Sequence, residues 1–250
     1  MKEEGRLLIG INPVLEALRR GERRFEKIYI AKGRGGPKTD ELVNLARERD
    51  VHIRFEQREI IDRICGSANH QGVAGVVSAK EYSTTDDMLG LAKKRNEEPF
   101  IVILDGIEDP QNLGGIIRSA EAAGAHGIII PERRAVGVTD AVARTSAGAV
   151  EYLLIAKVKN INNTIAELKE KGIWIIGLDA EGEKRYYEPD YKMPLAVVIG
   201  GEGVGIRPLV LKGCDFVVSI PQKGRVNSLN ASVAAGIIIY EILKSRTKLA

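Results

Sequence analysis

Residues 100–131 read FIVILDGIEDPQNLGGIIRSAEAAGAHGIIIP, and their reading decides the fold class. FIVILDGI is a continuous apolar run, as expected of a strand covered on both faces. NLGGIIRSAEAAG is a helix that Gly124 stops, and HGIIIP is the next strand. The alternation then continues. TDAVARTSAGAVE reads as a helix, YLLIAKV as a strand, NINNTIAELKEKG as a helix and IWIIGLDA as a strand. LAVVIGGE is a strand, RPLVLKGC a short helix, DFVVSIP a strand and LNASVAAGIIIYEILKSR the closing helix. Strands separated by helices of this length imply a mostly parallel sheet with helices on both faces, an α/β fold.

Upstream, residues 1–80 form a smaller alternating α/β unit. NPVLEALRRG is a helix ended by Gly21, and KIYIA is a strand. The turn GRGGPK leads into TDELVNLARERD, an amphipathic helix for which Thr39 or Asp40 is the expected cap. VHIRF, REIIDRIC and GVAGVVSA follow as strand, helix and strand. Residues 81–98 are polar and read as a linker that contains one candidate helix, TDDMLGLAKKR; residues 99–250 are the second domain.

A chain of 250 residues, 44% hydrophobic and 28% charged, has enough apolar surface for a real core. The start lacks the apolar stretch of a secretion signal, and no apolar run approaches a membrane span, so a cytoplasmic protein with no membrane partner is expected. Cys65 and Cys214, with three scattered histidines, give no disulfide framework and no metal-ligand spacing. The net charge of +3 is uneven. Residues 1–80 hold 16 Lys/Arg against 12 Asp/Glu, whereas residues 98–250 hold 18 of each. The excess lies in RRGERR at 19–24 and KGRGGPK at 32–38, loop-borne clusters that suit a phosphate backbone or simply a solvated surface.

In parallel α/β sheets ligands lie beyond the C-terminal strand ends. Three such ends are dense in polar and small residues. After FIVIL, Asn112 starts a helix as a candidate N-cap, and Arg118 stands among Gly and Ala, fit for a buried ion pair or a ligand anion. After LAVVI, GGEGVG lacks both the dinucleotide and the P-loop glycine spacing, but its glycines admit a flat ligand; Glu202 is its one charge. After DFVVS, the loop IPQKGRVNSLNASVAAG brings Ser228 and Asn230 to the start of the last helix, with Asn227 or Ser228 as candidate cap. Exposed N–H groups there suit an anion.

Taken in order, NLGGIIR, GGEGVG and IPQKGRVNSLNASVAAG resemble the three motifs of the SpoU (TrmH-type) RNA 2′-O-ribose methyltransferases of the SPOUT superfamily. IGINPVLEAL and NHQGVAG extend the resemblance to the 23S rRNA (guanosine-2′-O-)-methyltransferase branch. The resemblance implies a trefoil-knot methyltransferase domain behind a small ribosomal-protein-like RNA-binding α/β domain. It implies a homodimer, S-adenosyl-L-methionine as methyl donor, 23S rRNA as partner and no metal. Gly200, Ile220 and Leu229 match positions that hold the donor. Asn112, Arg118, Glu202, Ser228 and Asn230 match the family's polar catalytic set. A tRNA 2′-O-methyltransferase and a non-catalytic RNA-binding assembly protein are the alternatives.

Overall fold

The elements of the computed structural model, which describes residues 6–225 and 228–247, begin with β1 (Arg6–Ile9), α1 (Ile11–Arg20), β2 (Phe25–Ala31) and α2 (Pro37–Glu48). Then come β3 (Ile53–Glu56), α3 (Arg58–Cys65), β4 (Val73–Val77), α4 (Thr85–Arg95), β5 (Phe100–Asp105), α5 (Pro110–Ala122) and β6 (Gly127–Pro131). After α6 (Asp140–Thr145) and a 3-10 turn (Ala149–Glu151) follow β7 (Leu154–Val158), α7 (Ile161–Glu170), β8 (Trp174–Leu178) and β9 (Lys184–Arg185). β10 (Leu195–Gly200), α8 (Pro208–Lys212), β11 (Phe216–Ser219) and α9 (Ala231–Arg246) complete the chain. Residues up to Glu81 join Val138–Tyr152 in one unit; Tyr82–Gly137 and the segment from Leu153 onward make the other.

The first unit is a four-stranded sheet in the order β1-β4-β2-β3. α1 buries Ile11, Val14, Leu15 and Leu18, the i, i+3, i+4, i+7 stripe of a helix laid on a core. Gly21 ends it in the left-handed conformation, its N–H donating to the Ala17 carbonyl. β1 has no counterpart among the expected strands. Its four residues gain their order from antiparallel pairing with β4, Arg6 opposite Val77 and Ile9 opposite Ala74, which no local pattern announces. α2 starts at Pro37, not at Thr39 or Asp40. Proline is favoured in the first turn because its missing N–H is unneeded there, and Thr39 lies buried inside the helix. The expected single helix over 139–151 is broken. Ala147 (φ 53°) and Gly148 (φ 91°) turn left-handed between α6 and the 3-10 turn, and any Cβ on Gly148 would strike the Glu16 side chain. This break delivers Glu151 to Arg23, whose Nε and Nη2 each donate at 2.8 Å to its two carboxylate oxygens, both side chains being buried.

The second unit carries a seven-stranded sheet in the order β7-β6-β5-β10-β8-β11-β9, every pairing parallel. β5 and β10 are buried along nearly their whole length, which is why both read as unbroken apolar runs. The segment read as a linker contributes more than connection. α4 opens with a reciprocal capping box between Thr84 and Asp87 and buries Met88 and Ala92. Met88 joins a core of Ile101, Ile103, Ile129, Ile165 and Val198, and its thioether fills the space that Gly127 leaves by having no Cβ. The polar average of residues 81–98 hides these two inward positions. Parallel pairing sets the C-terminal ends of β5, β10, β8 and β11 along one edge, with Asp105 level with Gly200.

Candidate active site

That edge is where the three polar loops meet. Asp105 ends β5 almost fully buried and accepts from the Arg207 backbone N–H (2.9 Å) and from its Nε (2.8 Å). This ties the loop after β10 to β5. Within the loop, a Cβ on Gly200 would overlap the Gly205 backbone, and one on Gly201 would overlap the Gly106 carbonyl. Backbone therefore packs directly on backbone, an approach only glycine allows. Gly201 N–H donates to the Asp105 carbonyl and Gly205 N–H to the Gly201 carbonyl, so Glu202 is carried on a tightly fixed turn.

Two amides converge with Glu202 on this turn. Asn112 Nδ2 donates to Glu202 Oε1 at 3.1 Å. Asn230 Nδ2 donates to Glu202 Oε1 at 2.7 Å and to Asn112 Oδ1 at 2.8 Å. Asn230 Oδ1 meanwhile accepts from the Ser232 and Val233 N–H groups and from the Ser232 hydroxyl. The cap of α9 is thus Asn230, not Ser228; Asn227 lies outside the described residues. Asn112 is not a cap either. Pro110 starts α5 with Asp109 as cap, which puts Asn112 inside the first turn of the helix, buried and facing the loop. Glu202 Oε2 makes no hydrogen bond among the described residues.

Two cavities flank these three side chains and share Gly201, Glu202, Val204 and Gly205. The larger, about 710 Å³, is lined by Gly200, Ile220, Ser228, Leu229 and Asn230, with Ile199 completing its apolar wall. Asp179, just after β8, also lines it. Asp179 is absent from the residues singled out in the sequence, although the strand-end criterion that finds the other loops applies equally to IWIIGLDA. The smaller cavity, about 390 Å³, is lined by Asn112, Glu108, Arg134 and Arg207. Arg118 stands apart. It is exposed, lines neither cavity and has no partner among the described residues. Six residues beyond Asn112, it projects from a different side of α5.

The chemistry available is positioning and hydrogen bonding. Among the described residues no group of three or more His, Cys, Asp or Glu could hold a metal ion, and no helix is long and apolar enough to cross a membrane. Burial first, then Asp215, pushes the Cys214 thiol up to about 12, so it is no thiolate nucleophile at neutral pH. The larger cavity fits S-adenosylmethionine. Its volume suits a ligand of that size. Ile199, Ile220 and Leu229 offer apolar surface to a flat base, the glycine turn gives close backbone approach, and Asp179 offers a carboxylate to hydroxyls or a cation.

Known proteins resemble the chain over nearly its whole length. Residues 99–240 match the SpoU rRNA methylase family, and residues 7–83 match the family described as RNA 2′-O ribose methyltransferase substrate binding. A Bacillus subtilis protein, YacO, classed with the TrmH family of tRNA/rRNA methyltransferases, is 43% identical over 246 residues, 98% of each chain. Among solved structures, the SpoU methyltransferase AviRb of Streptomyces viridochromogenes in complex with S-adenosylmethionine superposes with a TM-score of 0.81 at 25% identity, covering 96% of this chain and 90% of that one. An S-adenosylmethionine-bound rRNA methyltransferase of Sinorhizobium meliloti gives 0.77 at 26% identity, covering 96% and 87%.

Proposed function

The chain belongs to the SpoU rRNA methylase family, with S-adenosylmethionine as methyl donor and RNA as substrate, and from that premise we propose that it methylates the ribose 2′-OH of a guanosine in 23S rRNA. The observation that supports transfer to a ribose hydroxyl is the convergence of Asn112, Glu202 and Asn230 on the rim shared by the two cavities; the guanosine and the 23S rRNA rest on the resemblance of IGINPVLEAL and NHQGVAG. When bound, the donor supplies an already activated methyl group, so covalent catalysis by the protein is unnecessary. The protein's task is alignment, which can lower a barrier by several kcal/mol.

Gly200, Ile220 and Leu229 hold the donor in the larger cavity. Glu202 Oε1 is engaged by two amides, which leaves Oε2 to hold the Arg118 guanidinium in position. Ser228 and Asn230 fix the ribose beside it. Arg118 anchors the neighbouring phosphate and takes part in activating the hydroxyl; because guanidinium stays charged, water or that phosphate receives the proton.

Arg118 reaches such a position most simply from a second copy of the chain. α9 exposes Val233 and Tyr240, about half accessible, at i, i+7 on one stripe, and Leu229 and Val204 are exposed beside the cavity. A homodimer through α5 and α9 covers this surface and brings the Arg118 of one protomer toward the site of its partner. The trefoil knot, the division into a domain over 1–80, a linker over 81–98 whose α4 packs on the second core, and a domain over 99–250 from which residues 138–152 join the first unit, and action in the cytoplasm belong to the same reading.

The test is methyl transfer from labelled donor to 23S rRNA and tRNA transcripts, with the modified position mapped. Label on a 23S guanosine 2′-oxygen supports the proposal. Label on tRNA alone favours the tRNA alternative, and failure to bind the donor in calorimetry favours the non-catalytic one. Arg118→Ala is expected to bind donor normally and to lose turnover; near-normal methylation by that variant refutes its assigned role.

A further inference from the structure

With the donor in the larger cavity and the ribose on the shared rim, the smaller cavity, about 390 Å³, is left for what the ribose carries. Its walls are fixed by backbone bonds. Val136 N–H donates to the Ile107 carbonyl at 3.0 Å, so the turn that bears Arg134 is laced to the loop that bears Glu108. Glu132 N–H holds the start of that turn on the Val158 carbonyl at 2.8 Å. Ile107 and Val204 give the cavity apolar surface.

A ribose carries a base and phosphates, and the charge of the lining decides between them. Asp105, Glu108, Asp109 and Glu202 stand against Arg134 and Arg207, four carboxylates against two guanidiniums, a net charge of −2. Such a lining repels a phosphate and suits a neutral, polar base. Most of these charges are engaged within the protein. Asp105 Oδ1 accepts from Arg207 Nε at 2.8 Å and from Nη2 at 2.6 Å. Asp109 Oδ1 accepts from the Gln111 N–H, and Glu202 Oε1 from Asn112 and Asn230. Glu108 and Arg134 are the exceptions. Both are exposed, and neither makes a hydrogen bond or ion pair among the described residues, with each other included. Two opposite charges that line one cavity without pairing can both be satisfied by a third group placed between them.

We propose that the smaller cavity receives the base of the target nucleotide and that Glu108 and Arg134 select guanine. A carboxylate only accepts hydrogen bonds and can take two side by side. Guanine alone among the four bases presents two adjacent donors, N1–H and the 2-amino group, on its Watson–Crick edge. Adenine and cytosine set a ring acceptor beside their amino group, and uracil flanks its one N–H with carbonyls. Glu108 accepts the donor pair. Arg134 donates to O6 and N7, the pairing arginine makes with guanine, while Ile107 and Val204 offer apolar surface to the ring. An unstacked base of this kind is how RNA sequence is read.

The proposal rests on methyl transfer to a guanosine ribose, and its test separates the two. The substrate is a 23S rRNA fragment spanning the mapped nucleotide, made with guanosine, inosine or adenosine at that position. Inosine lacks only the 2-amino group. In kcat/KM, wild type should favour guanosine over inosine roughly tenfold, the worth of one charge-assisted hydrogen bond. Adenosine, which turns a ring acceptor toward the carboxylate, should be slower still. Glu108→Gln sets an amide N–H against the 2-amino group and should bring guanosine and inosine within about twofold of each other. Arg134→Ala should lower both by roughly tenfold and keep their ratio, because inosine retains O6 and N7. Donor binding by calorimetry should match wild type in both variants, which shows them folded. Equal rates on guanosine and inosine with wild type overturn the assignment. So does a wild-type ratio in Glu108→Gln, or a mapped position that is not a guanosine. Guanosine and inosine 5′-monophosphates are also titrated by NMR into the full chain loaded with S-adenosylhomocysteine. Roughly tenfold tighter binding of the guanosine form, lost in Glu108→Gln, beside a wild type that transfers no methyl group, supports the guanine site while refuting the activity. Equal binding of the two nucleotides by that wild type overturns the site as well.

Discussion

Asn230 has two tasks that only a carboxamide can combine. Its oxygen caps α9 and its nitrogen holds Glu202 and Asn112. Aspartate caps as well but sets a second carboxylate against Glu202, and serine caps without the second donor pair. Asn230→Ala should therefore lose the cap, worth about 1 kcal/mol, and leave Glu202 and Asn112 under-bonded at a further cost of about 1–3 kcal/mol. Urea unfolding reads the sum, and methyl transfer should fall with it. His126 offers a second check at this scale. The nearly inaccessible ring accepts from Phe100 N–H at Nδ1 and donates to Glu97 at Nε2, and burial, opposed by Glu97, holds it below the ordinary value of 6.5. The unfolded chain takes up a proton near pH 6.5 while the native chain resists it, so stability is present above that pH and is lost as the pH falls through 6.5 toward the depressed native value. Unfolding free energies at pH 7.5 and 5.0 should differ more for wild type than for His126→Asn, whose Oδ1 replaces the Nδ1 acceptor without titrating. Equal differences reject this assignment.

Among the elements, the long parallel strands are legible in the sequence and the helix starts are not. β5 and β10 have no polar face to blur their pattern, so composition alone marks them. Helix starts depend on which polar side chain finds an N–H group, and several candidates stand close together. Asp109 displaces Asn112 in this way, and Asn230 displaces its neighbours. The displacement has functional weight, since a buried Asn112 inside α5 can face Glu202 whereas a capping Asn112 is spent on backbone. α4 shows the opposite case, where local charge conceals burial. Met88→Ala should cost about 2–5 kcal/mol, as expected of a core position. A change below about 0.5 kcal/mol in urea unfolding, typical of a surface site, contradicts that placement.

For the whole molecule, the informative pair is Arg23 and Glu151, 128 positions apart. It fastens the 138–152 segment into the unit formed by the first 81 residues, together with the Lys80 ammonium on the Glu151 carbonyl (3.3 Å) and the Tyr152 hydroxyl on Glu16 (2.6 Å). Breaking one half of a buried pair leaves an uncompensated charge and should cost about 3–5 kcal/mol, whereas replacing both with apolar residues of like volume recovers most of it. Glu151→Gln against Arg23→Met/Glu151→Leu, compared by chemical denaturation, tests this; equal losses count against it. By itself the sequence determined the α/β class, the succession of strands and helices in the second unit, the three polar strand ends and the family they resemble, because each is written in local periodicity and spacing. Only the tertiary structure decided that residues 138–152 complete the first unit, that Asn112 faces Glu202 across 90 positions and Asn230 across 118, and that Arg118 lies away from them. Those meetings carry no local signature. They exist because parallel strands must return through crossovers, and which polar atoms then meet at the sheet edge is settled by packing.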